Sequence, residues 1–328
     1  MLIAIEIGGT KLQLALGRED GTIVKTVRGR VKAEDGAQGI LAWFDAQTSA
    51  LLQEYGQTAA DGESGNGQAE DPVRAIGVGF GGPLETATGT VLKSVQIKGW
   101  DNFSLKKWFE DRFGIPTFVF NDSSAAGYGE YRIGSGRGTK QFFYTNIGTG
   151  IGGSLIVDGR LYDGQGVGAA ELGHTRIPDW TSGNPGEDTE LELLCSGQSV
   201  EKRLRSPHYI PSDSLLMQLC GWDVSTVTNQ MLGEAVSAGD SFALEEIDRV
   251  AKSMAIAISN VLCLMQPEVI AVGGGFSLIG DPLIERIRAH VKERDFICSE
   301  GRYRIVPCEL GEAIVLQGAL LLAAESLK

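Results

Sequence analysis

Two small polar residues, Asn121 and Asp122, close the apolar run Phe118-Val119-Phe120 and lead directly into the helix-forming stretch Ser123-Ser124-Ala125-Ala126. A strand of this kind delivers its last residues to the open carboxyl edge of an α/β sheet, where such sheets usually hold ligands. Taken alone, the pair reads more simply as a helix cap accepting hydrogen bonds from otherwise unpaired amides. The rest of the chain argues for a ligand, because glycine turns of phosphate size lie on both sides. In Gly8-Gly9-Thr10-Lys11 the backbone amides are bare of side chains, with a hydroxyl and an ammonium beside them, so the turn can hold phosphate oxygens; it also reads as a plain hairpin turn. Gly148-Thr149-Gly150-Ile151-Gly152-Gly153 and Gly273-Gly274-Gly275 offer the same bare backbone later on. Glu171 and His174 add a carboxylate and an imidazole three positions apart across Gly173; singly they read as an exposed charge and a structural histidine.

The elements around these residues decide what each turn can be. Residues 2–7 alternate and are β-rich, 12–16 read as a second strand, and Gly21 opens a third over 22–31, a meander with the first glycine turn at its tip. The turn is no P-loop, since the Gly-x-x-x-x-Gly-Lys-Ser/Thr order is missing and a strand follows. Residues 39–55 carry Ile40, Leu41, Trp43, Phe44, Leu51 and Leu52 at helical spacing. Residues 57–72 hold no large apolar side chain and predict a mobile, solvated loop. Strands are expected over 73–80, ending in Gly81-Gly82-Pro83, over 90–97 and over 116–120, with helices over 105–113 and 123–131.

In the second half, residues 141–147 and 154–157 read as strands flanking Gly148 to Gly153. Their letters match G-x-G-x-x-G, but a dinucleotide turn must open a helix, and here a strand follows. Strand, glycine turn, strand therefore occurs twice, and predicts a duplicated fold with one phosphate-binding hairpin in each half. Residues 187–195 and 199–205 read as helices, 206–229 as irregular, and 231–238 and 242–265 as long core helices. The strand 268–272 leads through Gly273 to Gly275 toward a helix at 282–291, a context that suits a nucleotide. A strand over 304–307 and an apolar helix over 313–326 close the chain.

With 328 residues, 42% of them hydrophobic, the chain buries a sizeable core, and its length predicts about two domains. A net charge of -13 and the lack of a basic run oppose binding to a nucleic acid, which needs clustered cations. The five cysteines, with no C-x-x-C pair, indicate neither a disulfide framework nor a thiolate metal site, and fit a reducing cytoplasm. Neither a secretory signal nor an apolar run long enough for a membrane span is read.

Taken in order, Glu6-Ile7-Gly8-Gly9-Thr10-Lys11, Asn121-Asp122-Ser123-Ser124-Ala125-Ala126, Gly148 to Gly153, Glu171-Leu172-Gly173-His174 and Val272-Gly273-Gly274-Gly275 resemble the ROK family of sugar kinases and sugar-responsive repressors. The resemblance spans essentially the whole chain. It implies an α/β, actin-like ATPase (ribonuclease H-like) fold with two lobes around a central cleft. Residues 1–122, completed by the C-terminal helix at 313–328, would form one lobe, and 123–312 the other. It further implies ATP and magnesium as cofactors, a hexose as substrate with glucose favoured, Asp122 as the base, and sugar contacts from Gly81, Asn121, Glu171, His174 and Glu192. Phosphate contacts map to Gly8, Gly9, Thr10, Lys11, Gly148, Thr149 and Gly150, and adenosine contacts to Gly273, Gly274 and Gly275.

Glu6 stands where most kinase members carry Asp, and is expected to meet magnesium, directly or through water. Zinc-bearing members place a cysteine cluster after the Gly-His pair; residues 177–190 contain no cysteine, so no zinc site is expected. In a loose phosphoryl-transfer transition state the attacking hydroxyl needs little prior deprotonation, so a carboxylate that orients it and takes its proton late suffices. A homodimer is implied as well. The competing readings are a fructokinase or N-acetylhexosamine kinase, a sugar-sensing regulator, for which a DNA-binding domain ahead of Leu2 would be needed, and a non-catalytic sugar binder.

Overall fold

The computed structural model describes residues 1–55, 72–94 and 97–328. The loop expected at 57–72 lies, apart from Pro72, outside the described residues; of the strand expected at 90–97, Thr90–Val91 forms and 95–96 are not described. The chain divides into two compact units, one made of Met1–Arg137, Leu161–Ala169 and Leu310–Lys328, the other of Gly138–Arg160 and Ala170–Glu309.

The sheet of the first unit has the order Ile23–Arg30, Lys11–Gly17, Leu2–Ile7, Ile76–Phe80, Thr117–Asn121. Its first two pairings are antiparallel and its last two parallel. Every residue of Leu2–Ile7 is buried, as in a strand covered on both faces, while Ile23–Arg30 alternates half-buried and exposed along the edge. Helices Gly36–Glu54 and Leu105–Phe113 place Phe44, Leu41, Leu105 and Phe109 in one core with Ile3, Ile5 and Val78. The C-terminal helix Ile314–Ser326 packs Leu316, Ala319, Leu320 and Ala323 against Leu2, Ala4 and Ala15. It meets helix Asp122–Ile133 so closely that a Cβ on Gly318 would run into the carbonyl oxygen of Ala125. Through that glycine crossing the helix after Asp122 joins the first unit, which runs on to Arg137 instead of ending at residue 122.

The sheet strands that lie wholly in the second unit run in the order Gly153–Val157, Gln141–Asn146, Val269–Gly273, Arg304–Pro307. Gln141–Asn146 and Gly153–Val157 form an antiparallel hairpin, and Val269–Gly273 lies parallel to both of its neighbours. Helices Ser241–Met265 and Asp281–Lys292 fill the core with Val250, Met254, Ile258, Leu283 and Ile287. Each unit thus carries a strand, glycine turn, strand hairpin, as the repeated turn predicts, and in both the first strand is joined on its other side by a parallel strand.

One expected element is different. Residues 187–195, read as a helix, split into a strand, Asp188–Glu190, and a short helix, Leu191–Cys195. Asp188–Glu190 pairs antiparallel with Arg176–Pro178. The chain reverses at Gly183-Asn184-Pro185-Gly186, and Arg176 pairs with Asp188 across the two strands. Within the irregular stretch 206–229, Leu215–Leu219 is a short helix. Among the described residues no helix is long and apolar enough to cross a membrane.

Candidate active site

In the first unit, Ile7, Phe80 and Asn121 stand side by side in register at the carboxyl ends of three parallel strands. Gly8, Gly81 and Asp122 follow them, so three separate sequence motifs meet at one sheet edge. Gly81 N donates to Ile7 O at 2.9 Å, and a Cβ on Gly81 would stand 3.0 Å from Asp122 Oδ2. Any other residue here would crowd that oxygen. Asn121 does cap the helix, its Oδ1 accepting from Ser123 N at 2.9 Å and Ser124 N at 3.2 Å, while its Nδ2 donates to Gly82 O at 3.4 Å. Asp122 accepts from Ser123 N through Oδ1 at 2.7 Å, which fixes the carboxylate plane and leaves Oδ2 on the Gly81 side.

The first glycine turn is closed by Gly8 N donating to Lys11 O at 3.0 Å, and the N–H groups of Gly9 and Thr10 make no hydrogen bond among the described residues. Two adjacent outward amides with a lysine beside them form an anion cradle. The Glu6 carboxylate lies beneath the turn, 9% exposed, with Lys11 Nζ 3.1 Å from Oε1 and Gln13 Nε2 donating to Oε2 at 2.7 Å. Each oxygen of Glu6 thus has one partner in the protein.

The second turn follows the same plan within its own unit. Gly148 N donates to Gly150 O at 2.9 Å, and the N–H groups of Thr149 and Gly150 make no hydrogen bond among the described residues. The next two amides are tied down: Ile151 N donates to Glu192 Oε2 at 2.6 Å and Gly152 N to Asn146 Oδ1 at 3.0 Å. Glu192, expected at the sugar, thus spends one oxygen on the second glycine turn. Gly273 pairs with Asn146 in register, and Gly274, at φ 85°, lies so close to the Ile147 backbone that a Cβ would collide with it. Beside Gly275 there is open space. The buried side chains of Ile147 and Ile151 anchor both ends of the turn in the core.

Glu171, Gly173 and His174 sit on a single 3-10 turn, Leu172–His174, with Glu171 ahead of it. Gly173 is required there, because a Cβ would run into the Ile151 carbonyl oxygen; this contact locks the turn to the second glycine hairpin. The residue before Glu171, Ala170, holds φ at 64°, backbone strain of the kind that collects at functional sites. His174 Nδ1 lies 2.9 Å from Glu190 Oε2, so its carboxylate partner is Glu190 and not Glu171. That hydrogen bond to Glu190 is the main cause raising the His174 pKa, with desolvation opposing it and the charges of Glu190, Glu192 and Glu171 adding to it. The Glu171 carboxyl, still reachable by solvent, has its pKa raised chiefly by the protein that desolvates it; the His174 charge opposes this and Glu192 adds to it. Glu190 is the site residue that sequence reasoning missed. The Gly-Asn-Pro-Gly cluster at 183–186 was the available signal for the hairpin that delivers it.

The sequence model described as ROK family matches residues 2–326. A glucokinase of Thermotoga maritima is 30% identical over 325 residues, covering 99% of this chain and 97% of that protein. The crystal structure of a ROK family glucokinase from Streptomyces griseus in complex with glucose and AMPPNP is 27% identical, with a TM-score of 0.81 and 99% of each chain covered. A ROK family transcriptional regulator, a homolog of the E. coli MLC protein, has a TM-score of 0.83 at 21% identity, covering 99% of this chain and 78% of its own; that likeness is one of fold.

Proposed function

The chain belongs to the ROK family and has its actin-like ATPase fold, and we propose from this membership and the geometry at Asp122 that it is an ATP-dependent hexose kinase, glucokinase-like in its sugar. The observation that carries the proposal is the pairing of Asp122 Oδ2 with the bare Cα of Gly81, which leaves room for a hydroxyl beside a fixed carboxylate. In this reading the hydroxyl donates to Asp122 Oδ2 and gives up its proton there as the phosphorus–oxygen bond forms. Asn121 Nδ2, aimed at Gly82 O, holds the turn that borders the sugar.

From the second unit we assign Glu171 and the His174–Glu190 pair to sugar hydroxyls, by charge-assisted hydrogen bonds. Glu192 supports the phosphate turn through Oε2, so any hydroxyl it takes falls to Oε1. The outward amides of Gly9 and Thr10 and of Thr149 and Gly150 receive phosphate oxygens of ATP, Lys11 supplies positive charge, and the open space beside Gly275, at the end of the Gly273 to Gly275 turn, takes the adenosine. Magnesium would enter with the nucleotide and meet Glu6, directly or through water. The homodimer is a proposal for light scattering.

Supporting the kinase reading is the full-length similarity to glucokinases. A sugar-responsive regulator is the second reading, because a regulator of the family has the same fold. ADP release measured with ATP across a panel of hexoses and N-acetylhexosamines separates the two. The kinase reading expects a sugar-dependent signal, largest with glucose; silence on every sugar in folded protein favours the regulator or a non-catalytic binder.

A further inference from the structure

Trp180 belongs to the chain reversal between the paired strands Arg176–Pro178 and Asp188–Glu190, outside every residue assigned so far. Its indole Nε1 donates to Ser253 Oγ at 3.1 Å. The guanidinium carbons of Arg203 and Arg249 stand 4.7 and 5.5 Å from its ring centre, within cation–π range. Arg203 is itself fixed from below: Nε donates to Glu246 Oε1 at 2.7 Å and Nη1 to Leu194 O at 2.9 Å. The Glu246 side chain is wholly buried, and its second oxygen accepts from Tyr209 Oη at 2.8 Å.

A buried ion pair rarely adds net stability, because taking two charges out of water offsets their attraction unless every lone pair is filled. Here the partners are filled, and what the cluster holds is a hairpin on the surface of its unit. That hairpin sets Arg176 opposite Glu190, and Glu190 meets the His174 ring at 2.9 Å. At its far end Arg203 holds Leu194 O, in the short helix that carries Glu192 and through it the Ile151 amide. One buried cluster therefore reaches both the imidazole and the phosphate turn.

We propose that Trp180, clamped by Arg203 on the buried Glu246, is a positioning residue that sets the His174–Glu190 pair and with it the sugar-binding edge of the second unit. The sugar in this statement rests on the kinase reading, whereas the positioning of His174 does not. Outer-shell partners of this kind are worth about 10- to 100-fold when removed from ligand sites.

The test is Trp180→Leu, with Trp180→Phe and Ser253→Ala beside it. Two quantities are read: the NMR titration midpoint of the His174 ring, assigned with His174→Gln, and the split of sugar KM from kcat. Leu is expected to drop the His174 midpoint toward that of a free histidine and to raise the sugar KM about tenfold with kcat within about twofold. Phe, which keeps a ring for the two arginines, is expected to restore most of both. A folded Trp180→Leu protein with His174 midpoint and KM unchanged overturns the proposal. Should that variant not fold, Ser253→Ala, which removes the hydroxyl that the indole donates to and keeps the ring on its two arginines, is expected to move the midpoint less and in the same direction; no movement there overturns the proposal too. Absence of ADP release from the wild type with every sugar sinks the kinase reading, while the His174 titration still decides the positioning.

Discussion

The hairpin of Leu2–Ile7 and Lys11–Gly17 and the hairpin of Gln141–Asn146 and Gly153–Val157 share antiparallel pairing, a glycine turn with two outward amides, and a parallel strand on the far side. Around the turns they part company. In the first, Gly9 and Thr10 are exposed, and the charged groups form an ion pair between the turn's own Lys11 and Glu6 below it. In the second, Glu192 and Asn146 take the two amides next to the free ones, and Ile147 and Ile151 are sunk in the core. The same backbone cradle is therefore loosely held beside a lysine in one unit, and braced by a carboxylate and an amide oxygen in the other. A braced cradle binds without first losing conformational freedom, whereas a lysine on a flexible stem supplies charge and must be ordered by what it meets.

The sharpest way to break the comparison is at the closest backbone approach in each unit. Gly318→Ala forces the C-terminal helix off Ala125 and so disturbs the helix headed by Asp122; Gly173→Ala drives the Glu171–His174 turn off the Ile151 carbonyl. Each is expected to cost ~3 kcal/mol, since neither obstacle is a side chain that can swing away. Urea unfolding checks both, and a loss under ~1 kcal/mol at either site shows that the contact is looser than described.

A smaller contrast comes from the carboxylates under the turns. Glu192→Ala leaves the Ile151 amide without its charged acceptor and is expected to lower stability by about 2 kcal/mol. Glu6→Gln keeps an acceptor for Gln13 and loses a lysine pair that is half open to water, so a change below about 1 kcal/mol is expected. Equal effects in denaturant unfolding would remove the distinction between a braced and an open turn.

Smallest is the pH dependence of the second unit. His174 has its folded pKa raised above its ordinary 6.5, so its stabilisation is complete below that value and is lost as pH rises through the folded pKa. The Glu171 carboxyl, raised above its ordinary 4.5, works in the same direction: charging it in the folded state becomes a cost once pH passes that value. In thermal melts the advantage of the wild type over His174→Gln is expected to shrink as pH climbs above 6.5. Glu171→Gln is expected to gain on the wild type above pH 4.5. Flat differences across that range would contradict the Glu190 hydrogen bond and the desolvation of Glu171.

Much of this was legible in the sequence for local reasons. Both glycine hairpins, helix Leu105–Phe113 and the strand ending at Asn121 follow from alternation, helical spacing and turn residues within a dozen positions. Even the meeting of Glu6 with Gln13 is implicit in the first hairpin, whose register sets the two opposite each other. The strand Asp188–Glu190 was hidden because Glu187, Asp188 and Glu190 before an apolar run resemble a helix start. What makes it a strand is Arg176, twelve residues back, and an indole held by arginines on two other helices. Those are non-local choices, and with them went the identity of the partner of His174. The double duty of Asn121, a helix cap that also faces the Gly82 carbonyl, could not be apportioned until the register of Phe80 with Asn121 was known.

The central claim is that Asp122 takes the proton of a sugar hydroxyl. Asp122→Asn preserves the size of the side chain and an oxygen able to accept from Ser123, and removes the base. Sugar-dependent ADP release by this variant, with glucose binding followed by calorimetry on the same protein, tests the claim most directly. The account predicts turnover lower by about 10²- to 10⁴-fold with glucose affinity little changed. Turnover equal to the wild type would contradict it, and would move the search for the base to the carboxylates of the second unit.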